Sequence, residues 1–177
     1  MQQSEQPSFE ELMTAATRSA VHLEMRDAYG VSDEAEDFQH WKRTGERDTD
    51  PASVYWGPWV SLVQEAVGRG VEVRRLRIVS EPVSDYIKYE HAGTVVNIKA
   101  GENVRWLPRR QASGLALPGN DFWLFDGATV LFNHFTGDGD VSPDGREVRT
   151  DQGVADLATR AFDAAWALAT AHDHYTI

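Results

Sequence analysis

Arginines on two predicted strands are the side chains whose type and spacing most suggest chemistry. Arg75 and Arg77 lie in the segment from Val71 to Val79, and Arg105 lies in the segment from Glu102 to Leu107. Because alternate residues of a strand share a face, Arg75 and Arg77 point the same way. Guanidinium groups form paired hydrogen bonds with carboxylates and phosphates. If the three arginines converge, they form a pocket for an anionic small molecule.

A second interpretation of these arginines is internal pairing. Other segments of the chain carry carboxylates that could neutralise them, namely Glu24, Asp27, Glu90 and Glu102. An arginine that is held by such a partner stabilises the fold and has no charge left for a ligand. Internal pairing is the favoured interpretation, and the sequence leaves the anion pocket open beside it.

Tyr89 and His134 join Arg75, Arg77 and Arg105 as candidate binding residues of a pocket at the ends of the strands. A histidine that acts as a general base needs a carboxylate or hydroxyl within hydrogen-bond distance. We expect His134 to be packed or paired. An enzyme whose chemistry is not phosphodiester cleavage, built on these five residues, is the alternative to a binding module.

Asp121 and Asp126 bracket a hydrophobic segment and could form an acid and base pair. Five strand residues separate their backbones by on the order of 16 Å, which is too far for a shared proton. Asp126 precedes Gly127, and an Asp-Gly pair between two apolar runs predicts a type I′ turn. We therefore predict a hairpin here and no catalytic residue.

The sequence predicts neither a metal site nor a cofactor. His172 and His174 are two residues apart in a predicted helix, so they do not converge on one ion. The segment from Asp138 to Gly145 resembles a calcium loop, but Pro143 stands where the turn glycine is needed and the closing glutamate is missing. Aromatic residues that could stack on a planar ligand are expected in the core instead: Trp41, Trp56, Trp59, Trp106, Phe122, Trp123 and Phe125.

The elements that must position these groups alternate between helix and strand. A helix that ends at Gly68-Arg-Gly70 and leads directly into a strand is typical of parallel α/β sheets. We predict helices from Ser8 to near Ser19 and over residues 33–44, 56–68, 85–91 and 155–171. We predict strands over residues 20–29, 71–79, 102–107, 122–125 and 129–135, with loops at 45–51 and 137–144.

Composition limits the function classes. The 177 residues include no cysteine, so disulfides and thiolate chemistry are excluded and a cytoplasmic location is expected. No apolar run is long enough to span a bilayer, and the first residues do not form a signal peptide, so no membrane association is expected. The net charge of -11 makes direct nucleic-acid binding the least favoured function. We expect one domain over residues 1–177.

Residues 55 to 135, including Gly68-Arg-Gly70, resemble the phospholipase D-like fold. Catalytic members of that family carry His-x-Lys-x-x-x-x-Asp on a strand. With Asp126 in the aspartate place, the histidine place falls on Gly119 and the lysine place on Asp121. The resemblance therefore implies an α/β fold, with a mixed sheet flanked by helices, that lacks the nucleophile and the phosphate clamp. Residues 1–54 would be an N-terminal extension to a core at 55–177.

A second resemblance covers nearly the whole chain. The phrases His22 to Tyr29, Val79 to Pro82, Ala100 to Glu102 and Asp121 to Asp126 are similar to those of an actinobacterial family, the domain of unknown function 6879. Members often lie beside genes for helix-turn-helix regulators. This implies a ligand-sensing or partner-binding module in a regulatory pair, with such a regulator as partner. Single-repeat proteins of the phospholipase D-like fold pair their sheets, which implies a homodimer.

Overall fold

The computed structural model describes residues 6–30 and 34–177, and its centre is a seven-stranded mixed sheet in the order β6-β5-β4-β1-β2-β3-β7. The strands are β1 (Ser19–Glu24), β2 (Glu72–Val79), β3 (Asn103–Pro108), β4 (Phe122–Phe125), β5 (Thr129–Phe135), β6 (Val141–Arg149) and β7 (Thr170–Ala171). The helices are α1 (Phe9–Ala15), α2 (Ala35–Thr44), α3 (Gly57–Gly68), α4 (Asp85–Ala100) and α5 (Gln152–Leu168), with short 3₁₀ turns at Arg109–Ala112 and His172–His174. The predicted α/β class with helices around a mixed sheet is confirmed.

The parallel centre of the sheet follows from the connection between α3 and β2. Gly70 adopts a left-handed φ of 90°, which lets the chain reverse directly from the helix into the strand. The two parallel ladders pair β1 with β2 and β2 with β3. The carboxyl ends of β1 and β2 therefore lie side by side, where open α/β sheets bind ligands.

Apolar side chains cover both faces of the sheet. On one face Val73 packs among residues of α1, α3 and α4, and on the other Leu76 and Ile78 pack against α5. The alternation along β2 places Arg75 and Arg77 on the face of Val73, as the sequence predicts. Two guanidinium groups consequently lie beneath a helical layer, away from bulk solvent.

The turn at Asp126 and Gly127 is the predicted hairpin turn. Both residues have positive φ, 53° and 67°, as a type I′ turn requires. The Asp126 carboxylate accepts hydrogen bonds from the backbone N–H groups of Thr17, Arg18 and Ser19. Asp126 therefore fixes the turn and the start of β1, and these backbone bonds hold its pKa below its ordinary value despite partial burial, which raises it.

Several predicted boundaries are wrong. α4 continues from the predicted end at His91 to Ala100, because Thr94, Val96 and Asn97 are buried and tertiary packing outweighs the low helix propensity of this segment. β1 ends at Glu24 and does not reach Tyr29. Residues 141–144, predicted as loop, begin β6, where a register shift against β5 accommodates the turn residues.

The remaining differences lie at the ends of elements. α1 ends at Ala15, four residues before the predicted end, and α5 ends at Leu168, so Thr170–Ala171 can form the edge strand β7. The predicted start of α2 at Asp33 falls outside the described residues. Within residues 6–30 and 34–177, no helix has the length and apolar character needed to cross a membrane.

Candidate functional site

Two rows of polar side chains cross the central strands at their carboxyl ends. In the first row His22 of β1 lies between Arg75 of β2 and Trp123 of β4. In the second row Glu24 pairs in register with Arg77. Asp121 extends this row, because its carboxylate accepts a 2.9 Å hydrogen bond from the backbone N–H of Met25.

The two arginines of β2 form a buried ion network centred on Glu24. One Glu24 oxygen accepts from Arg75, and the other accepts from Nε of Arg77 at 2.5 Å. Arg75 Nε also donates to Glu102 at 2.8 Å, and Arg77 donates to Glu90 and to the Thr94 hydroxyl, each at 2.7 Å. Arg75 and Arg77 are only 7% and 5% exposed, so the network lies within the protein.

The network fixes the charge states of its members. Burial alone would raise the pKa of Glu24, but Arg77 and Arg75 outweigh it and hold that pKa far below its ordinary value. Burial would lower the pKa of Arg75, but Glu102 and Glu24 reverse the shift and raise it. Glu24 is therefore ionised and Arg75 is protonated at neutral pH.

Helices α3 and α4 hold the outer end of the network. Glu102, which follows α4, accepts 2.8 Å hydrogen bonds from the indole of Trp59 and from the amide of Asn97 in addition to its pair with Arg75. Its side chain is fully buried. Every oxygen of this carboxylate therefore has a partner, which makes its burial tolerable.

Arg47 closes the network from the loop after α2. Its guanidinium stacks 3.6 Å from the centre of the Tyr89 ring and lies 3.5 Å from Glu90. Gly93, in α4, faces the Arg47 side chain. A Cβ atom at Gly93 would lie 2.7 Å from Arg47 Nε, so only glycine leaves room for Arg47 against this helix. The glycine in the middle of a helix therefore has a packing reason.

His22 has one ring nitrogen without a partner. Nδ1 lies 3.1 Å from an Arg75 nitrogen that can only donate, and 3.2 Å from a Glu24 oxygen with which it forms no hydrogen bond, so Nδ1 is assigned as the acceptor and the proton is assigned to Nε2. Nε2 is buried and forms no hydrogen bond within the described part of the chain. Burial lowers the pKa of His22 to about 3 despite the nearby Glu24, so the ring is neutral at pH 7.

A cavity of about 420 Å³ lies over these rows and reaches the surface. Its charged lining consists of Glu24, Glu34, Arg47, Arg75, Arg77, Glu90 and Asp121, and its aromatic lining consists of Tyr29, Tyr55, Trp56, Trp59, Tyr86, Trp123 and Phe135. A second cavity of about 270 Å³ shares His22, Trp59 and Trp123 with it. The unpartnered Nε2 therefore belongs to a residue that lines both cavities.

Two carboxylates of the lining bind tyrosine hydroxyls. Asp121 accepts a very short hydrogen bond from Tyr29, and Glu34 accepts 2.7 Å hydrogen bonds from Tyr55 and Tyr86. Burial raises the pKa of Asp121 from 3.8 to about 6, although the bond from Tyr29 opposes the shift. At neutral pH Asp121 is mainly ionised, and a small change in its surroundings would protonate it.

The structure brings together only part of the predicted set of binding residues. Arg75 and Arg77 line the cavity in the internally paired state. Tyr89 is buried beneath Arg47 and does not line the cavity. His134 lines the second cavity, where it lies 3.4 Å from Glu147 and is therefore a paired histidine, as expected.

Arg105 does not converge with Arg75 and Arg77, so that expectation is wrong. It pairs in register with Leu76, whose side chain faces α5, and it donates to the backbone oxygen of Trp166 at 3.1 Å. The predicted pairing of arginines with Glu24, Glu90 and Glu102 is confirmed for Arg75 and Arg77. Asp27, the fourth carboxylate of the prediction, pairs with a further arginine, Arg109, at 3.5 Å.

Sequence reasoning missed His22, Tyr29, Glu34 and Asp121 as members of one site. The alternation along β1 predicts that His22 and Glu24 share a strand face. The position of Asp121 beside β1, however, depends on the antiparallel pairing of β4 with β1. The expectation that the aromatic residues are core holds for Trp106 and Phe122, whereas Trp56, Trp59 and Trp123 also line the cavity.

The described residues contain no group of three acidic or histidine side chains arranged to hold a metal ion. His172, one of the two histidines near the C-terminus, accepts a 3.1 Å hydrogen bond from the indole of Trp106. This arrangement gives His172 a packing role.

Comparisons with known proteins agree with the fold. The profile of the family described as "Domain of unknown function (DUF6879)" matches residues 7–177. No curated protein matches the chain. Among solved structures, the chain is similar to Nuc from Salmonella typhimurium, a phospholipase D family member, with a TM-score of 0.51 and 12% identity over 92% of this chain and 86% of that one. This likeness shows the phospholipase D-like fold alone.

Arg75→Ala should lower the free energy of unfolding by about 3 to 5 kcal/mol, because it removes the cation paired with the fully buried Glu102 and one of the two cations paired with Glu24. Denaturant titration measures the change. Arg110→Ala is the control, since the Arg110 side chain is 75% exposed and lies 3.3 Å from Glu81; we expect a loss of about 1 kcal/mol or less. Losses of unfolding free energy that are small and equal in Arg75→Ala and in the control variant would contradict a stabilising role of Arg75 in the network.

Asp121→Asn should change how stability depends on pH. Because folding raises the pKa of Asp121, this residue contributes stability below about pH 4 that is lost as the pH rises through about 6. The stability of the wild type relative to Asp121→Asn should therefore fall by at most about 3 kcal/mol between those values. Denaturant titrations from pH 4 to 7.5 measure the difference, and a difference that stays constant would refute the shift.

Proposed function

We propose that this chain, which belongs to the DUF6879 family, is a non-catalytic module that binds a small molecule in the cavity over β1, β2 and β4. The observation that carries the proposal is that His22, whose buried Nε2 has no partner, is one of the residues lining this cavity. A buried donor without a partner costs about 1 to 3 kcal/mol. A ligand whose binding opens a path to Nε2 and places an acceptor there would recover that free energy, which favours the bound state.

The size and lining of the cavity support the same proposal. Small-molecule sites are concave, mainly apolar or aromatic, and contain a few placed polar groups. The cavity of about 420 Å³ combines seven aromatic side chains with polar groups whose orientation the buried network fixes. Fixed walls reduce the entropy lost on binding.

Several features support a non-catalytic role. Gly119, at the place of the histidine nucleophile, is exposed and has no side chain. Asp121, at the place of the phosphate-binding lysine, brings a negative charge to the cavity wall. A phosphodiester would therefore meet repulsion where the active family supplies attraction.

One observation favours an enzyme as the second candidate. Asp121, with a pKa raised to about 6 by burial, is bonded to the Tyr29 hydroxyl, and such a pair is suited to proton transfer near neutral pH. An enzyme of this kind would act on a ligand of the same cavity by a chemistry other than phosphodiester cleavage. Loss of turnover but not of binding in Tyr29→Phe would distinguish it from a binding module.

The regulatory part of the proposal comes from the family resemblance. It pairs the module with a helix-turn-helix regulator, so ligand binding would be sensed through a protein contact, and it adds association into a homodimer. Co-purification with the regulator encoded nearby tests the first point, and light scattering tests the second. Failure to bind that regulator at micromolar concentrations would count against the regulatory pair.

Asn133→Phe should abolish ligand binding. Asn133 lies on β5 and lines both cavities, so a phenyl ring at this position would occupy the space of the ligand. Asn103→Phe is the matched control, because Asn103 is an exposed β3 asparagine outside both cavities. Thermal unfolding with fractions of a bacterial metabolite extract measures binding.

At a hundredfold excess over Kd, a ligand raises stability by about 2.7 kcal/mol. We expect such a rise in the wild type and in Asn103→Phe, and none in Asn133→Phe. The binding proposal fails if no fraction stabilises the wild type, or if a fraction stabilises all three proteins equally.

A further inference from the structure

The arginines of the cavity have no charge left for an anion. Arg75 is held by Glu24 and Glu102, and Arg77 by Glu24 and Glu90. Arg47 is directed to the Tyr89 backbone oxygen and to Glu90. An anionic ligand would have to compete with these buried carboxylates for each guanidinium, and breaking such a pair is costly.

Two carboxylates of the lining are in the opposite situation. Within the described residues, no arginine or lysine forms an ion pair with Glu34 or Asp121, whose side-chain partners are the hydroxyls of Tyr55, Tyr86 and Tyr29. Glu34 and Asp121 are therefore bonded to neutral donors, and Arg26 acts on Asp121 only from beyond ion-pair distance. Hydroxyl donors stabilise a carboxylate less than a cation does.

The tyrosines place the two carboxylates on one part of the wall. Tyr29, bonded to Asp121, and Tyr86, bonded to Glu34, have ring centres 5.9 Å apart. The ring of Phe135, over which the Arg26 guanidinium lies at 5.3 Å, is 5.1 Å from that of Tyr29, so Tyr29, Tyr86 and the exposed Tyr55 are the rings open to a further cation. Aromatic rings attract cations through their electron-rich faces.

We infer that the ligand of this cavity carries a cationic group, an ammonium or a guanidinium, that binds between Glu34 and Asp121 among Tyr29, Tyr55 and Tyr86. The inference rests on the proposed function and specifies its ligand class. The cation supplies the charge that Glu34 and Asp121 lack.

A series of probes with one chain length tests the charge. Butylammonium and butylguanidinium are the cationic probes, butanol is the neutral probe and butyrate is the anionic probe, each titrated into the full chain by calorimetry. We expect both cations to bind at least about tenfold more tightly than butanol or butyrate. Agmatine, with a guanidinium and an ammonium, extends the series to a larger ligand.

Variants locate the site. Glu34→Gln and Asp121→Asn should each weaken cation binding by about tenfold or more, because each removes one negative charge. Glu81→Gln is the matched control, since Glu81 also accepts from a tyrosine, Tyr175, at 3.0 Å but lies outside the cavity. Glu34 is only partly buried, so its variant keeps the test valid if Asp121→Asn does not fold.

Three results would overturn the inference. Tighter binding of butyrate than of the cations would show that the cavity prefers an anion. The cavity would remain a binding site, but the inferred charge of its ligand would be wrong. Cation binding that persists in both Glu34→Gln and Asp121→Asn would place the cation elsewhere. Absence of binding by every cation would reject the cationic class, whereas the binding function itself is decided separately by the Asn133→Phe comparison.

Discussion

The buried network of Arg75, Glu24 and Arg77 is the interaction on which the rest of the site depends. Two guanidinium groups that point to one face of β2 would be unfavourable beneath a helical layer without carboxylates to neutralise them. Glu24 lies opposite both, and Glu102 and Glu90 complete the pairing. Replacement of such a network by apolar residues often costs no stability, so its presence is better explained by the polar cavity that it borders.

The network separates an apolar layer from the cavity on the same face of the sheet. Towards the amino ends of the strands, Ala20 and Val73 pack into the core against α1 and α3. Towards the carboxyl ends, the polar rows begin, and the helices no longer fill the space. The fold that the chain shares with Nuc from Salmonella typhimurium thus places the ends of central strands at this cavity, and the function proposed for the cavity rests on the residues that line it.

The sequence predicts the scaffold of this site better than the site itself. Alternation along β2 predicts that Arg75 and Arg77 share a face, and Asp126-Gly127 predicts the hairpin, because both are local properties of the chain. Arg105 was misplaced because its face depends on the register of β3 against β2, which no local pattern encodes. His22 and Asp121 likewise line one cavity only because β4 lies beside β1. No local pattern of the sequence indicates this central place of β1 in the sheet.

The indole N–H resonances of the tryptophans test the central claim most directly, that the cavity beside the charge network is the ligand site. Of the six tryptophans, Trp56, Trp59 and Trp123 line the cavity, whereas Trp41, Trp106 and Trp166 do not. In ¹⁵N-labelled protein titrated with a stabilising ligand, the indole signals of the first three should shift and those of the other three should stay in place. Shifts confined to Trp41, Trp106 or Trp166 would contradict the account.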